Sequence, residues 1–293
     1  MDAVRQILKS AVSGYFAHDA LSRGAAISFY AVTSLAPVLF VIIGIAGLAF
    51  SQETVRNSIV SELSGLMGSQ GTEFARSLIE RTSDPKSGAA ATLTGVIMVL
   101  VTASGVFSEM HTALNTVWQV EAEKQGVFSM VRTRAASLGL VAALGFLLIV
   151  SLAASTALTA FGNYLDTLFS FAGVLLSILN TLVSIALFTV LFGGIYKVLP
   201  DTEIGWRDVL SGGFMTALLF TIGKSLIGWY LGRAAASSVY GAAGSLIVLL
   251  LWLYYSAQIF LFGAELTKAT ADYRRADGRD AGVDRAPRQN HAA

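Results

Sequence analysis

The 293-residue chain contains no cysteine, four prolines and three histidines, and only 13% of its residues are charged. The missing cysteine excludes disulfides, thiolate metal sites and cysteine nucleophiles together, and leaves the redox compartment unreadable from thiols. His18, His111 and His291 stand too far apart for the spacing of a histidine metal site, so neither a metal nor a cofactor is expected. No P-loop, no dinucleotide-binding glycine turn after a strand and no nucleophile elbow is present. Glu109 and His111 lie two apart, a spacing that sends them to different faces of a helix. The balance of 20 basic and 19 acidic residues also argues against a nucleic-acid partner, which calls for a strong basic excess.

The scarcity of charge is the most informative absence. A soluble domain carries roughly 25% charged residues. Here 54% of the chain is hydrophobic, and water is not the solvent for most of its surface. Charge-free windows run from Arg23 to Glu53, Lys86 to Glu109, Arg134 to Asp166, Asp166 to Lys197, Asp208 to Arg233 (broken only by Lys224) and Arg233 to Glu265. A helix needs about 20 apolar residues to cross a bilayer, and these runs are continuous rather than alternating, so helices and not a β-barrel are the expectation. The predicted fold is all-α, a polytopic integral membrane protein whose six-transmembrane-helix bundle occupies 23–270. Its spans fall at about 25–49, 88–109, 136–160, 170–196, 209–231 and 243–265.

Outside the spans, Val4, Ile7, Leu8, Ala11, Val12, Tyr15 and Phe16 recur at helical spacing, predicting an amphipathic helix over 1–22. It either lies on the cytoplasmic surface or packs on the end of the bundle. Between the first two spans, 51–86 reads as a helical extracytoplasmic loop in which Val55, Ile59, Leu63 and Leu66 share a face. Residues 271–293 alternate Arg, Asp, Gly and Ala without an apolar period and read as a disordered cytoplasmic tail. With the N-terminus inside, fourteen of the twenty basic residues are cytoplasmic. Arg56, Arg76, Arg81, Lys86 and Arg233 are outside, and Lys224 is left within a span. The positive-inside rule therefore sets both termini in the cytoplasm.

Lys224 is the residue whose chemistry most needs explaining. An ammonium within a span costs a few kcal/mol unless it finds a partner, water or headgroups. Two readings stand: Lys224 snorkels to the outer interface, or Lys224 and Arg233 face a groove and bind an anionic headgroup. Glu109, Lys197 and Glu265 end three different spans and suit interhelical pairing. Gln258 lies seven residues before Glu265 on roughly the same face, which makes that pair a candidate gate. Asn115 and Asn180 are amides expected to bond a neighbouring helix. Pro37 removes a donor inside the first span and predicts a kink, with Thr33 or Ser34 placed to satisfy the freed carbonyl. Gly228 and Gly232, and the patch Gly241 to Ser245, read as helix-packing surfaces.

Several ordered motifs resemble the YihY/BrkB family of bacterial inner-membrane proteins. They are Phe29-Tyr30 with Ser34 to Pro37, Ala113 to Asn115 with Trp118, Tyr196-Lys197 with Leu199-Pro200, and Tyr240-Gly241 through Trp252 to Gly263-Ala264-Glu265. The resemblance covers roughly residues 20 to 270 and implies a six-helix protein of the bacterial inner membrane. Where that family has Pro-Gly opening the fifth span, this chain has Ser211-Gly212-Gly213. Family members have carried the labels ribonuclease BN and virulence factor, together with a suggested role in lipid export. RNA hydrolysis needs a basic aqueous groove and acid–base or metal chemistry that this sequence does not supply, so an enzyme is not expected. The expected function is a transporter or flippase-like handler of an anionic lipid or amphiphile. The alternative is a non-transporting structural or partner-binding membrane protein. Membrane lipids are the expected partners, with a homo-oligomer or an envelope protein left open.

Overall fold

The computed structural model describes residues 2–46, 51, 53–61, 76, 104–120, 139, 172–235 and 244–283. Among the described residues there are seven helical segments and no strand. They are α1 (Asp2–Ala17), α2 (Ala20–Ala46), α3 (53–61), α4 (104–117), α5 (Ala172–Val198), α6 (Trp206–Ala235) and α7 (Gly244–Val283). The expected span 136–160 and most of 88–109 lie outside the described residues. So do much of the loop 51–86 and the motif residues Tyr240 and Gly241.

Three of the described helices are long and apolar enough to cross a membrane, over Ile178–Val198, Trp206–Ile227 and Leu246–Asp277. This is narrower than the six spans read from the sequence. Their outward faces carry Ile178, Leu182, Val190, Ile222, Leu226 and Leu251, all exposed. In water such surfaces would be an aggregation liability, whereas hydrocarbon accepts them without cost.

Close backbone contact joins α6 to both neighbours. On α6, Thr216 donates its hydroxyl to the Gly212 carbonyl at 2.8 Å, and on α7 Thr267 does the same to Gly263 at 2.6 Å. Each threonine then covers the other helix's glycine, Thr267 over Gly212 and Thr216 over Gly263. The two Gly-x-x-x-Thr stretches thus fix an antiparallel register, a version of the small-xxx-small interface. Gly213 meets the α5 backbone at Thr189 and Gly193 in the same way. Above these contacts Phe192, Tyr196, Phe220, Trp252 and Phe260 form the aromatic core, and the Tyr196 hydroxyl donates to the Phe260 carbonyl at 2.7 Å.

Several boundaries differ from the sequence reading. The N-terminal helix ends at Ala17, and Asp19 takes a left-handed conformation (φ 54°) before α2 starts at Ala20, five residues earlier than expected. Asp accepts that conformation more readily than most side chains. Residues 271–283, expected to be disordered, continue α7 as helix. Lys268 pairs with Asp272 one turn on at 2.8 Å, and Arg274 reaches Asp208 of α6 at 2.9 Å, so local and tertiary pairs support this charged stretch. At 40 residues α7 is about 60 Å long, roughly twice the hydrocarbon thickness. Helix α2 is assigned continuously through Pro37, whose side chain lies outside the described atoms. The Thr33 and Ser34 hydroxyls donate to the Tyr30 and Ala31 carbonyls, not to the Thr33 carbonyl that the proline frees.

Short segments are stopped and started by side chains and turns. Ser51 caps α3, its hydroxyl accepting the Thr54 amide at 3.2 Å, and Val55 and Ile59 are buried on the face expected of them. Helix α4 ends in a Schellman motif, with Gln119 N–H on the Thr116 carbonyl and Val120 N–H on that of Asn115. The left-handed position falls to Gln119 (φ 53°), where glycine is usual.

Candidate functional site

Helix α1 runs antiparallel to the C-terminal half of α7. Tyr15 meets Gln258 and Phe262, Gly14 sits under Glu265, and Ala11 packs with Leu266 and Ala269. The apolar stripe therefore divides. Ile7, Ala11 and Tyr15 face α7, while Val4, Leu8, Val12 and Phe16 remain exposed.

Where α1 turns into α2, three polar pairs hold the corner to the bundle. The Tyr15 hydroxyl donates to Gln258 Oε1, and Gln258 Nε2 donates to the Leu21 carbonyl at 3.4 Å. His18 Nδ1 lies 2.6 Å from Glu265 Oε1; the carboxylate side chain is 4% exposed and the imidazole 19%. Arg23 donates to the His18 carbonyl at 3.1 Å and pairs with Glu109 of α4 at 3.5 Å. No β-carbon fits beneath two of these groups: one at Gly14 would overlap Glu265, and one at Gly24 would overlap Gln258. Burial, and secondarily the nearby Tyr254, raise the Tyr15 phenol above its ordinary value, so it serves as an O–H donor at neutral pH.

Beside the corner a lateral groove of about 350 Å³ opens between α6 and α7. Its walls are apolar, from Leu219, Ile222, Leu226, Ile259 and Phe262, while Tyr15, Tyr255 and Gln258 supply the polar atoms. The exposed Ile222 and Leu226 form its rim. Tyr15 belongs both to the groove wall and to the corner, so the position of α1 shapes the groove's end nearest the chain termini.

A second polar cluster ties α4 to the turn between α5 and α6. Asp201 accepts Asn115 Nδ2 at 2.8 Å and lies 2.7 Å from His111 Nε2, and its own amide donates to Asn115 Oδ1 at 2.9 Å. Glu109 and His111 thus serve different partners. The Lys197 ammonium donates to the Ile204 carbonyl at 2.6 Å and lies 5.7 Å over the Trp206 ring.

The structure brings Glu265, Gln258 and Glu109 to one corner and Asn115 to another cluster. It does not join Lys224 to them. Lys224 turns toward α5, with its ammonium 6.0 Å over the Phe188 ring, and does not line the groove. Asn180, expected between helices, is on the exposed face of α5. Arg233 lies on α6 with its side chain outside the described atoms. Among the motif residues, Tyr30 packs over Gly105, Ser34 and Pro200 are buried, Trp118 and Trp252 join the core, and Phe29 is 59% exposed. His18, Tyr15, Arg23 and Asp201 were not read as site residues from the sequence. Their partners lie 86 to 247 residues away, so no local spacing signals them.

The comparisons with known proteins agree on a membrane protein. A protein from Alkalilimnicola ehrlichii, named UPF0761 membrane protein, is 29% identical over 283 residues, covering 94% of this chain and 60% of its own length. Another so named, from Alcanivorax borkumensis, is 33% identical over 61% of this chain and 40% of its own length. One from Histophilus somni is 27% identical over 89% of each. The chain thus spans less than two thirds of the first two relatives. No solved structure matches it. The family described as Virulence factor BrkB matches residues 11–289, nearly the whole chain, and the protein is a membrane protein belonging to that family.

Proposed function

We propose that this protein is a transporter of flippase-like character that handles an amphiphile, an anionic lipid foremost, in the bacterial inner membrane. The groove between α6 and α7 carries the reading. Its volume of about 350 Å³ falls at the lower end of ligand sites, and its walls are largely apolar, with Tyr15, Tyr255 and Gln258 supplying a few polar atoms. An amphiphile needs that combination, with hydrocarbon against Ile222, Leu226 and Ile259 and a polar group at Gln258 and Tyr255. Lys224 follows Gly223 of the groove by one residue on α6. In this reading it attracts the anionic headgroup from beside the groove rather than from within it.

Six spans with both termini cytoplasmic complete the proposal, on the distribution of basic residues and the charge-free windows. The exposed row of α1, with Arg5 and Lys9 beside it, suits the boundary between headgroups and acyl chains of the cytoplasmic leaflet. Transport would draw on an ion gradient, a partner or downhill flow.

The test is reconstitution into liposomes containing headgroup-labelled phosphatidylglycerol. The native protein is expected to accelerate transfer between leaflets. Gln258→Leu should abolish the gain, and Lys224→Ala should reduce it for the anionic lipid and spare a zwitterionic one. Transfer no faster than in protein-free vesicles would remove the proposal in favour of a non-transporting structural or partner-binding membrane protein.

A further inference from the structure

The corner between α1 and α2 joins a buried carboxylate to a water-accessible imidazole and contributes a wall to the groove. We propose that the His18–Glu265 pair is a proton-binding site whose second proton releases the corner from α7 and opens the groove toward the termini. This rests on the groove being the amphiphile site.

Glu265 is 3% exposed as a residue and sits in a seat that only glycine at position 14 leaves open. His18 is the more exposed partner, so protons reach the pair through it. With one proton between them the two groups attract, whichever holds it. A second proton neutralises the carboxylate and leaves an imidazolium with no anion assigned to it. The surrounding charges do not supply one. Arg23 of α2 is paired with Glu109 of α4, Lys268 of α7 is paired with Asp272, and Tyr15 of α1 is engaged by Gln258. Asp19, the left-handed residue between α1 and α2, is the remaining carboxylate at the corner; it is exposed, and its carbonyl accepts the Arg23 amide at 3.1 Å.

Release requires the Tyr15–Gln258 hydrogen bond to part as well and the apolar contacts of α1 on α7 to be given up. The α1 side chains packed on this part of α7 are Ile7, Ala11 and Tyr15, and of the outer row Val4, Leu8 and Val12 are exposed while Phe16 meets the Tyr15 ring edge-on. When α1 leaves, Tyr15 leaves the groove wall with it, and Gln258 is freed to meet a ligand. Proton uptake on the cytoplasmic side and access to the groove are thereby one event.

The absence of cysteine permits a direct test. Spin labels on Leu8→Cys and Ala276→Cys, both exposed, report the separation of α1 from the α7 extension in lipid nanodiscs. As the pH is lowered stepwise, the first proton should favour the docked population, and the second should raise the ratio of separated to docked populations about tenfold. In Glu265→Gln the ratio should no longer depend on pH. His18→Gln, a change at the more exposed partner that leaves the buried one in place, should behave the same and provides a second variant where Glu265→Gln does not fold. A native distance distribution that is unchanged over these steps would overturn the proposal, as would an unaltered shift in both variants. The readout needs no lipid transfer, so failure of the transport reading and failure of the proton site are separately visible.

Discussion

Two glycines, one on each helix, offer a test of how tightly α5 and α6 approach. A β-carbon at Gly213 would stand 2.7 Å from both the Thr189 carbonyl oxygen and the Gly193 nitrogen. Ordinary contact begins at 3.4 Å, and both obstacles are backbone, so no rotamer change provides relief. Gly213→Ala therefore requires the helices to part by about 0.7 Å, a gap that forfeits a quarter to a half of the dispersion at each contact along the seam. Overpacking of this kind costs about 1–3 kcal/mol, and alanine returns at most about 1 kcal/mol of helix propensity. The net loss is about 1–2 kcal/mol, or a midpoint about 2–8 °C lower. Gly194 lies one turn or less from the same seam but has no atom within 4 Å of a β-carbon, so Gly194→Ala keeps the propensity gain and should raise the midpoint. Thermal unfolding of both variants in one detergent, followed by fluorescence-detected size exclusion, measures the pair. Gly213→Ala matching or exceeding the native midpoint, or both variants moving in the same direction, would refute the seam.

Other substitutions probe the remaining contacts. Tyr196→Phe removes the hydroxyl that donates to the Phe260 carbonyl and meets Thr216 at 3.2 Å, and should cost about 1–2 kcal/mol in the same unfolding assay. Asp201→Ala frees His111 and Asn115 together; because the carboxylate is 41% exposed the cost should be only about 1 kcal/mol, with faster hydrogen exchange at the end of α4 as its local sign. Gln119→Gly relieves a left-handed residue at the α4 terminus and should stabilise by about 0.5–1 kcal/mol, whereas a loss would show that the Gln119 side chain contributes more than its backbone costs.

How much of this was legible in the sequence depends on the direction in which each property acts. Hydropathy acts along the helix axis, and the charge-free windows located α2, α5, α6 and α7 closely, with α6 and α7 beginning three residues before and one after their expected starts. Lys224 does belong to a largely apolar helix long enough to cross a membrane. Its azimuth was not legible. Each residue turns a helix by about 100°, so Gly223 lines the groove while Lys224, next along, turns to Phe188 on another helix. A lysine in an otherwise apolar run has a fixed position along its helix, and only the neighbouring helices decide what it faces. The α7 extension was missed because its composition resembles a solvated tail; Lys268 and Arg275 nevertheless pair with Asp272, and Arg274 with Asp208.

Azimuth became legible in one place, where two polar residues on one helix lay seven apart. Gln258 and Glu265 share a face by periodicity alone, and both meet the α1–α2 corner. What periodicity could not provide was the partner, because His18 and Tyr15 lie at the opposite end of the chain. In a soluble protein a carboxylate and a distant histidine would be two of many surface charges. In this chain an unpaired Glu265 would sit within a helix long and apolar enough to cross a membrane, where a lone charge is costly, so the missing partner is itself a requirement. The scarcity of charge therefore narrows the search. Each polar group on an apolar helix must be met by another element, and at Glu265 that element is the corner between α1 and α2.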